Sequence, residues 1–325
     1  YSGAKWSLGL RMQHATDDLI EQAFTEGTIL RTHVMRPTWH FVTPPDIRWM
    51  LALTAPRVNT VNASRYRQLE LDAALFQRSN DVLVEVLQGG QTHIRKELGA
   101  ALAAAGIAAD GPRLSHIMMH AELDGIVCSG PRRGKQFTYA LLDERAPQAQ
   151  RLQRDEALAE LTRRYYTGHG PATVHDFVWW SGLTVADAKA GLDMVAPDLI
   201  HDVIDGHTFY FSASMPSAAE RTSTAFLLPT FDEFFVGYSG FDVSRRGGRG
   251  ANNELVFEST LVVSGQVVGS WQRTFKHGVV VIELAPFAPL TSDDEETLAA
   301  AAQRYGAFLS MPVVLRYLNK DARKP

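Results

Sequence analysis

The stretch from Thr28 to Val42 restricts the fold more than any other. Two short arms rich in β-branched and aromatic residues, opened by Ile29 and Leu30 and closed by Trp39, Phe41 and Val42, meet at Arg36-Pro37. The proline removes a backbone donor there, so the chain turns back on itself as a hairpin. A helix precedes it: Thr16 is a good N-cap, Asp17 and Asp18 supply acids to the first turn, Leu19, Ile20, Ala23 and Phe24 recur at helical spacing, and Gly27 ends the run.

Helix followed by hairpin recurs twice. After Pro44-Pro45 the pattern predicts one helix through Leu53 and, beyond Pro56, a second from Arg57 to Leu69. From Ala73 a long helix carries Leu75, Phe76, Val82, Leu83, Val86 and Leu87 and stops at Gly89-Gly90. Thr92 caps a helix His93 to Ala105, and a third helix, Leu114 to Leu123, ends at Gly125. Strands Ile126 to Cys128 and Phe137 to Leu141 then enclose the basic loop Gly130 to Lys135. Three helices and a basic hairpin make a winged helix, whose third helix enters a groove and whose wing touches the backbone.

The third occurrence follows a polar linker, Asp143 to Arg154. Leu158, Leu161 and Tyr165 mark a helix broken at residues 168–171; Thr173 caps a short helix, and Thr184 with Asp187 caps another in a box-like arrangement. Leu199 to Ile204 and His207 to Phe211, joined by Asp205-Gly206, read as a hairpin. From Ala225 the chain reads as strands, including the segment Phe231 to Tyr238 and the runs Leu255 to Val263, Gln266 to Thr274 and Gly278 to Leu284. A helix from Asp293 to Leu309 and a strand Val313 to Tyr317 follow. Tyr1 to Met12, with Trp6, Leu8, Leu10 and Met12, reads as the end of a packed helix. The expected fold is α+β: tandem winged-helix units (helix-turn-helix plus β-hairpin) at 1–70, 71–143 and 154–212, then a small antiparallel β-sheet or barrel domain at 223–325.

An apolar fraction of 45% with 21% charged residues over 325 positions is that of a soluble globular chain with more than one core. The net charge of −4 excludes a uniformly basic nucleic-acid binder, so any DNA surface is a local concentration of Lys and Arg. The one cysteine, Cys128, forms no intramolecular disulfide and builds no zinc site alone, which points to a reducing, cytoplasmic setting. The longest apolar runs fall far below the roughly 20 residues that span a bilayer, so no membrane partner is expected. The first residue is Tyr rather than Met, and the natural N-terminus is expected upstream.

Taken together, ILRTHVMRPTWHFV, LLPTFDEFFVGY and SGQVVGSWQRTFKHGVVVIELAPFAPLT resemble the winged-helix family that contains the AlkZ-like DNA glycosylases, over nearly the whole chain. The resemblance implies tandem winged helices, a small β-barrel, and removal of alkylated or cross-linked bases from double-stranded DNA without metal or cofactor. It also implies a catalytic Gln-x-Gln or a variant just before Tyr1. Gln148-Ala149-Gln150 matches those letters but lies in the linker and reads as a solvated segment.

Base removal by hydrolysis needs a water held against C1′, stabilisation of the charge that develops, and extrusion of the nucleotide. Asp232 and Tyr238 are the polar candidates; the competing reading makes Asp232 a turn cap and Tyr238 a core aromatic. Arg36, Thr38 and His40 match the family's Arg-x-Thr-x-His, with Thr38 and His40 on one strand face. In the competing reading Arg36 pairs with a carboxylate and His40 is a satisfied core residue. His33 and His40 lack a third ligand, so no metal is expected. Arg132, Arg133 and Lys135 on the second wing, and Arg245, Arg246 and Arg249 in a Gly-rich stretch, are candidate phosphate binders. His116 and His120, four apart on a helix, either reach a groove or lie on a solvated face. No Gly-x-Gly-x-x-Gly, P-loop, Gly-x-Ser-x-Gly or His-Glu-x-x-His is present. The expected protein is a monomeric DNA glycosylase. The alternatives are a non-enzymatic DNA-binding regulator, and winged helices used for protein contacts.

Overall fold

The computed structural model describes residues 1–215, 224–240 and 259–318. They group into two compact units: Tyr1–Glu21 with the described part of Pro216–Pro325, and Gln22–Met215. Helix α1 (Ser2–Arg11) thus shares its contacts with the C-terminal segment, and the division falls inside α2 (Asp17–Glu26).

In the larger unit, β1 (Leu30–His33) and β2 (Trp39–Val42) pair antiparallel with Leu30 opposite Val42 and His33 opposite Trp39. Leu30, Thr32 and Val42 share one face of this hairpin and are buried. Arg31, His33, Trp39 and Phe41 share the other. The C-terminal carbonyls of α2 that an α-helix leaves without partners are met by Arg145, which donates to Phe24 O at 2.9 Å and Thr25 O at 2.6 Å.

Pro44–Gln68 forms one helix, α3, rather than the two expected on either side of Pro56. An interior proline costs on the order of 3 kcal/mol through its lost hydrogen bond and ring clash. Here Ile47, Trp49, Met50, Leu51 and Leu53 before it and Val58 and Tyr66 after it are buried, and each such side chain contributes roughly 1.5–3 kcal/mol. Burial on both sides outweighs the break.

The next group is α4 (Ala73–Leu87), β3 (His93–Ile94), α5 (Arg95–Ala104), α6 (Gly111–Leu123), β4 (Val127–Ser129) and β5 (Thr138–Leu141). Its three-stranded sheet has the order β3-β5-β4, and its core gathers Leu83, Leu87, Leu98, Met118, Ala121, Val127, Tyr139 and Leu141. His93 and Ile94 are strand rather than helix, because they pair with Tyr139 and Thr138. The cap of α5 is therefore not Thr92. The Glu97 carboxylate accepts from the Ile94 N–H at 2.9 Å, and the helix starts one residue after that bond.

Within the segment expected as a polar linker, Leu142–Arg145 makes the one-turn helix α7. The third group is α8 (Arg154–His169), α9 (Val174–Ser181), α10 (Val185–Val195), the 3₁₀ turn Ala196–Asp198, β6 (Leu199–Ile204) and β7 (His207–Ser212). The Thr184–Asp187 box forms. Thr184 Oγ1 accepts from the Asp187 N–H at 3.1 Å, and the Asp187 carboxylate takes both the Thr184 hydroxyl and, at 3.4 Å, its N–H. Between α9 and α10, Gly182 adopts φ +71° where a Cβ would lie 2.5 Å from the Met35 carbonyl, so the hairpin loop and this turn meet backbone to backbone.

The smaller unit is built on a five-stranded sheet of order β12-β11-β10-β9-β8: β8 (Ala225–Leu228), β9 (Thr260–Val263), β10 (Gln266–Lys276), β11 (Val279–Pro286) and β12 (Val313–Tyr317). It is mixed rather than wholly antiparallel. α12 (Ser292–Phe308) carries the chain back over the sheet, so β12 enters parallel to β11. The segment expected as strand from Phe231 is instead the one-turn helix α11 (Glu233–Val236), since Asp232 caps it by accepting from the Phe234 N–H at 3.0 Å. In α1 only Lys5 and Trp6 are buried, and Met12 is exposed. The alternation Trp6, Leu8, Leu10, Met12 has period two, and a helix cannot turn all four inward. Trp6 stacks edge-on against Tyr305 at 4.9 Å and donates its indole N–H to the Leu227 carbonyl at 2.6 Å. Leaving that buried donor unpaired would cost about 1–3 kcal/mol.

Two measurements check this account of the larger unit. Gly182→Ala should lower the unfolding free energy by more than the roughly 1–2 kcal/mol of left-handed backbone strain, because the methyl also strikes Met35. Gly206→Ala, at φ +77° with open space around it, should lose only the strain; equal losses in urea titrations would refute the contact. Second, burial works against charge on Asp46 and Asp187. Yet Arg164 and Thr43 at the first, and Thr184 and Arg154 at the second, hold both below the ordinary value of 3.8. A folded pKa below the unfolded one means the folded form binds fewer protons. The stabilisation is complete above the ordinary value and disappears as pH falls through the folded one. Urea midpoints should drop steeply below about pH 4, and Asp46→Asn should flatten that drop.

Candidate nucleic-acid interface

On the side of the hairpin that carries Arg31, His33, Trp39 and Phe41, cations and rings alternate. The Arg31 guanidinium lies 4.4 Å from the Trp39 ring and 3.7 Å from that of Phe137, and Arg132 lies 5.0 Å from Phe137 on its loop. The period-two strand pattern places Arg31 diagonal to Trp39 and His33 directly opposite it, with the two rings 4.5 Å apart. Below, Glu122 of α6 is buried. Its carboxylate accepts the His33 backbone N–H at 3.1 Å and is paired with His33 Nδ1. The Arg31 N–H donates to Ser129 Oγ at 2.8 Å, which ties β1 to β4. Arg36 is half-buried and Thr38 exposed at the hairpin end, while His40 is half-buried with Nδ1 3.1 Å from the Thr38 carbonyl.

The basic residues of the second ribbon differ in how tied they are. Arg133 donates to Glu97 Oε1 at 2.6 Å and to the Thr92 carbonyl at 2.9 Å, which fastens the loop to the start of α5. Hydrogen bonds to the Ile94 N–H and then to Arg133 keep the Glu97 carboxylate below its usual range against the opposing effect of burial. Lys135 is exposed beside Gly134 at the tip. His120 stacks on Phe76 at 3.6 Å and lies 3.0 Å from the Asp124 carboxylate; His116 bonds the Pro112 carbonyl, and both rings lie about Tyr66. Both histidines thus contribute to packing among α3, α4 and α6. Gln148 and Gln150 are exposed.

In the smaller unit Asp232 is 0% exposed. Its carboxylate accepts from Ser7 Oγ at 2.6 Å, from both terminal nitrogens of Arg11 at 3.0 and 2.8 Å, and from the Phe234 N–H. A bidentate guanidinium with two further donors fills the acceptor positions of the carboxylate. Asp232 raises the pKa of Arg11, and Glu233 and Tyr238 add to the effect, so the half-buried Tyr238 lies within electrostatic reach of the same guanidinium. Arg245, Arg246 and Arg249 lie outside the described residues.

Ser7, Arg11, Arg31, Trp39, Phe137 and Glu122 are brought to these sites without having been singled out in sequence. Arg31 and Trp39 carried a detectable signal, since a hairpin about residues 34–38 puts them on one face. Ser7 and Arg11 share one face of a helix by their spacing, but nothing in the sequence links that face to a residue more than 220 positions away. Among the described residues no group of three His, Cys, Asp or Glu side chains is placed to hold a metal ion, and no helix is long and apolar enough to cross a membrane.

Residues 2–308 match the family described as DNA glycosylase AlkZ-like. The chain is similar to an interstrand DNA cross-link repair glycosylase of Streptomyces sahachiroi, 23% identical over 306 residues that span 84% of this chain and 78% of that protein. Its fold is similar to the solved structure of the Streptomyces sahachiroi DNA glycosylase AlkZ. The TM-score is 0.79 at 18% identity, covering 98% of this chain and 89% of that one.

The Asp232 network makes an asymmetric prediction. Arg11→Ala strands a carboxylate with no solvent contact and should cost about 3–5 kcal/mol of unfolding free energy. Asp232→Ala leaves a guanidinium whose side chain is 46% exposed, so the loss should be smaller, roughly 1–3 kcal/mol. Urea unfolding of the two variants should show that order, and the reverse order would remove the anchoring role.

Proposed function

Because the chain belongs to the DNA glycosylase AlkZ-like family, we propose that it removes alkylated or cross-linked bases from double-stranded DNA by hydrolysing the N-glycosidic bond. One observation carries the reading. The family match runs from residue 2 to 308, through α1, every helix-and-ribbon group and strands β8 to β11 of the C-terminal sheet, rather than over a single DNA-binding module. The similarity to an interstrand DNA cross-link repair glycosylase supports cross-linked bases as the lesion class.

In this reading the groups at 71–143 and 154–212, each of three helices and a ribbon, serve as winged helices, and the hairpin β1-β2 ends a first such group. Arg36, Thr38, His40, Arg132 and Lys135 contact the DNA backbone, with Arg133 orienting the loop that carries two of them. His116 and His120 support that surface through Tyr66. The arginines at 245, 246 and 249 contribute further phosphate contacts.

Breaking the C1′–N bond leaves its electron pair on the base, which departs neutral when a ring nitrogen is alkylated, and builds positive charge on the sugar; a water then adds at C1′ and releases its proton to solvent. Asp232 acts as a positioning residue: through Ser7 and the forked Arg11 contact it fixes α1. Tyr238 acts on the charge of the same Arg11.

Incubating the protein with duplex carrying one alkylated purine or one cross-link tests this. Alkali should cut the strand at the abasic site, and absence of any product would remove the activity for that lesion. Binding to duplex should weaken steeply with salt, as it must for a protein that neutralises several phosphates.

A further inference from the structure

We propose that Trp39 is a stacking platform for an unpaired nucleobase, an inference that rests on the DNA-binding reading and adds a recognition residue to it. Trp39 is 45% exposed, although its cross-strand partner His33 and the flanking Val34 and Met35 are buried. Its ring is nevertheless held against the protein, with Arg31 at 4.4 Å and His33 at 4.5 Å. Arg31 is itself set between Trp39 and Phe137, and Arg132 continues the series beyond Phe137. The indole is therefore pre-oriented and surrenders little rotational freedom when a second planar group meets it.

The chemistry of the surroundings selects the occupant. The loop residues Arg36, Pro37 and Thr38, which precede Trp39, are half-buried or exposed and include a cation, and Arg31 lies on the ring itself. A flat π-face with arginines in the same column matches a planar base joined to a phosphate, and base-on-aromatic stacking is tolerant of sequence. In an intact duplex both faces of each base are already covered by its neighbours. The base that meets Trp39 must therefore be extruded, bulged or opposite a lesion.

The experiment uses two labelled duplexes of equal length, one fully paired and one with a single unpaired 2-aminopurine, titrated with protein at fixed salt. The native protein should prefer the unpaired site and quench its fluorescence. Trp39→Phe should keep most of that preference. Trp39→Leu, which still covers His33 with apolar surface, should weaken binding to the unpaired site by about 10-fold or more and leave the paired duplex unchanged. Leu behaving as Phe, or equal losses on both duplexes, would overturn the stacking role while leaving DNA binding intact. Should the Leu variant fail to fold, the absence of quenching by the native protein at saturation would overturn it instead. Failure of the native protein to bind either duplex would remove the DNA reading itself.

Discussion

The Glu122 carboxylate is the group on which the arrangement of the hairpin depends. It is 2% exposed and arises from α6, yet its partners are the backbone N–H and the ring of His33 on β1. A carboxylate taken out of water without partners is costly enough to decide where neighbouring elements lie, and losing one partner of such a pair typically costs about 3–5 kcal/mol. β1 must therefore present His33 to α6, which fixes the register of β1 against the helix. Once His33 is placed, the period of two puts Arg31 and Trp39 on the same side, and Phe137 of the neighbouring ribbon completes the column.

A second buried acid plays the corresponding part in the smaller unit. Asp232 draws together a helix from the start of the chain and a turn from its last third, with Ser7 and Arg11 on one side and the Phe234 N–H of α11 on the other. In both units the acid is buried and its basic or hydroxylic partners come from distant segments. The proposed reaction places its demand on such anchors. The groups that meet DNA must be exposed and polar, so their positions have to be set from beneath by residues that are neither.

Much of the local structure follows from short-range chemistry and was legible. The ends of α2 at Gly27, the Thr184–Asp187 box, the turn at Asp205-Gly206 and the strand Val313–Tyr317 depend on residues a few positions apart, whose energies do not require the rest of the chain. The departures share one cause. Pro56 sits within α3 because distant elements bury both of its flanks, and His93-Ile94 is strand because β5 lies beside it. In each case a tertiary partner outweighed the local preference.

The sequence alone determined that helices alternate with ribbons, that charge is nearly balanced and that the chain resembles a glycosylase family, because composition and spacing are properties of neighbours. Only the tertiary structure decided which side chains act together. Ser7, Arg11 and Asp232 become one site, and the hairpin face of Arg31 and Trp39 joins Phe137 and Glu122 in another, through contacts spanning tens to hundreds of positions. No periodicity encodes such pairs; they are selected when burial leaves a charged group with one place to find its partner.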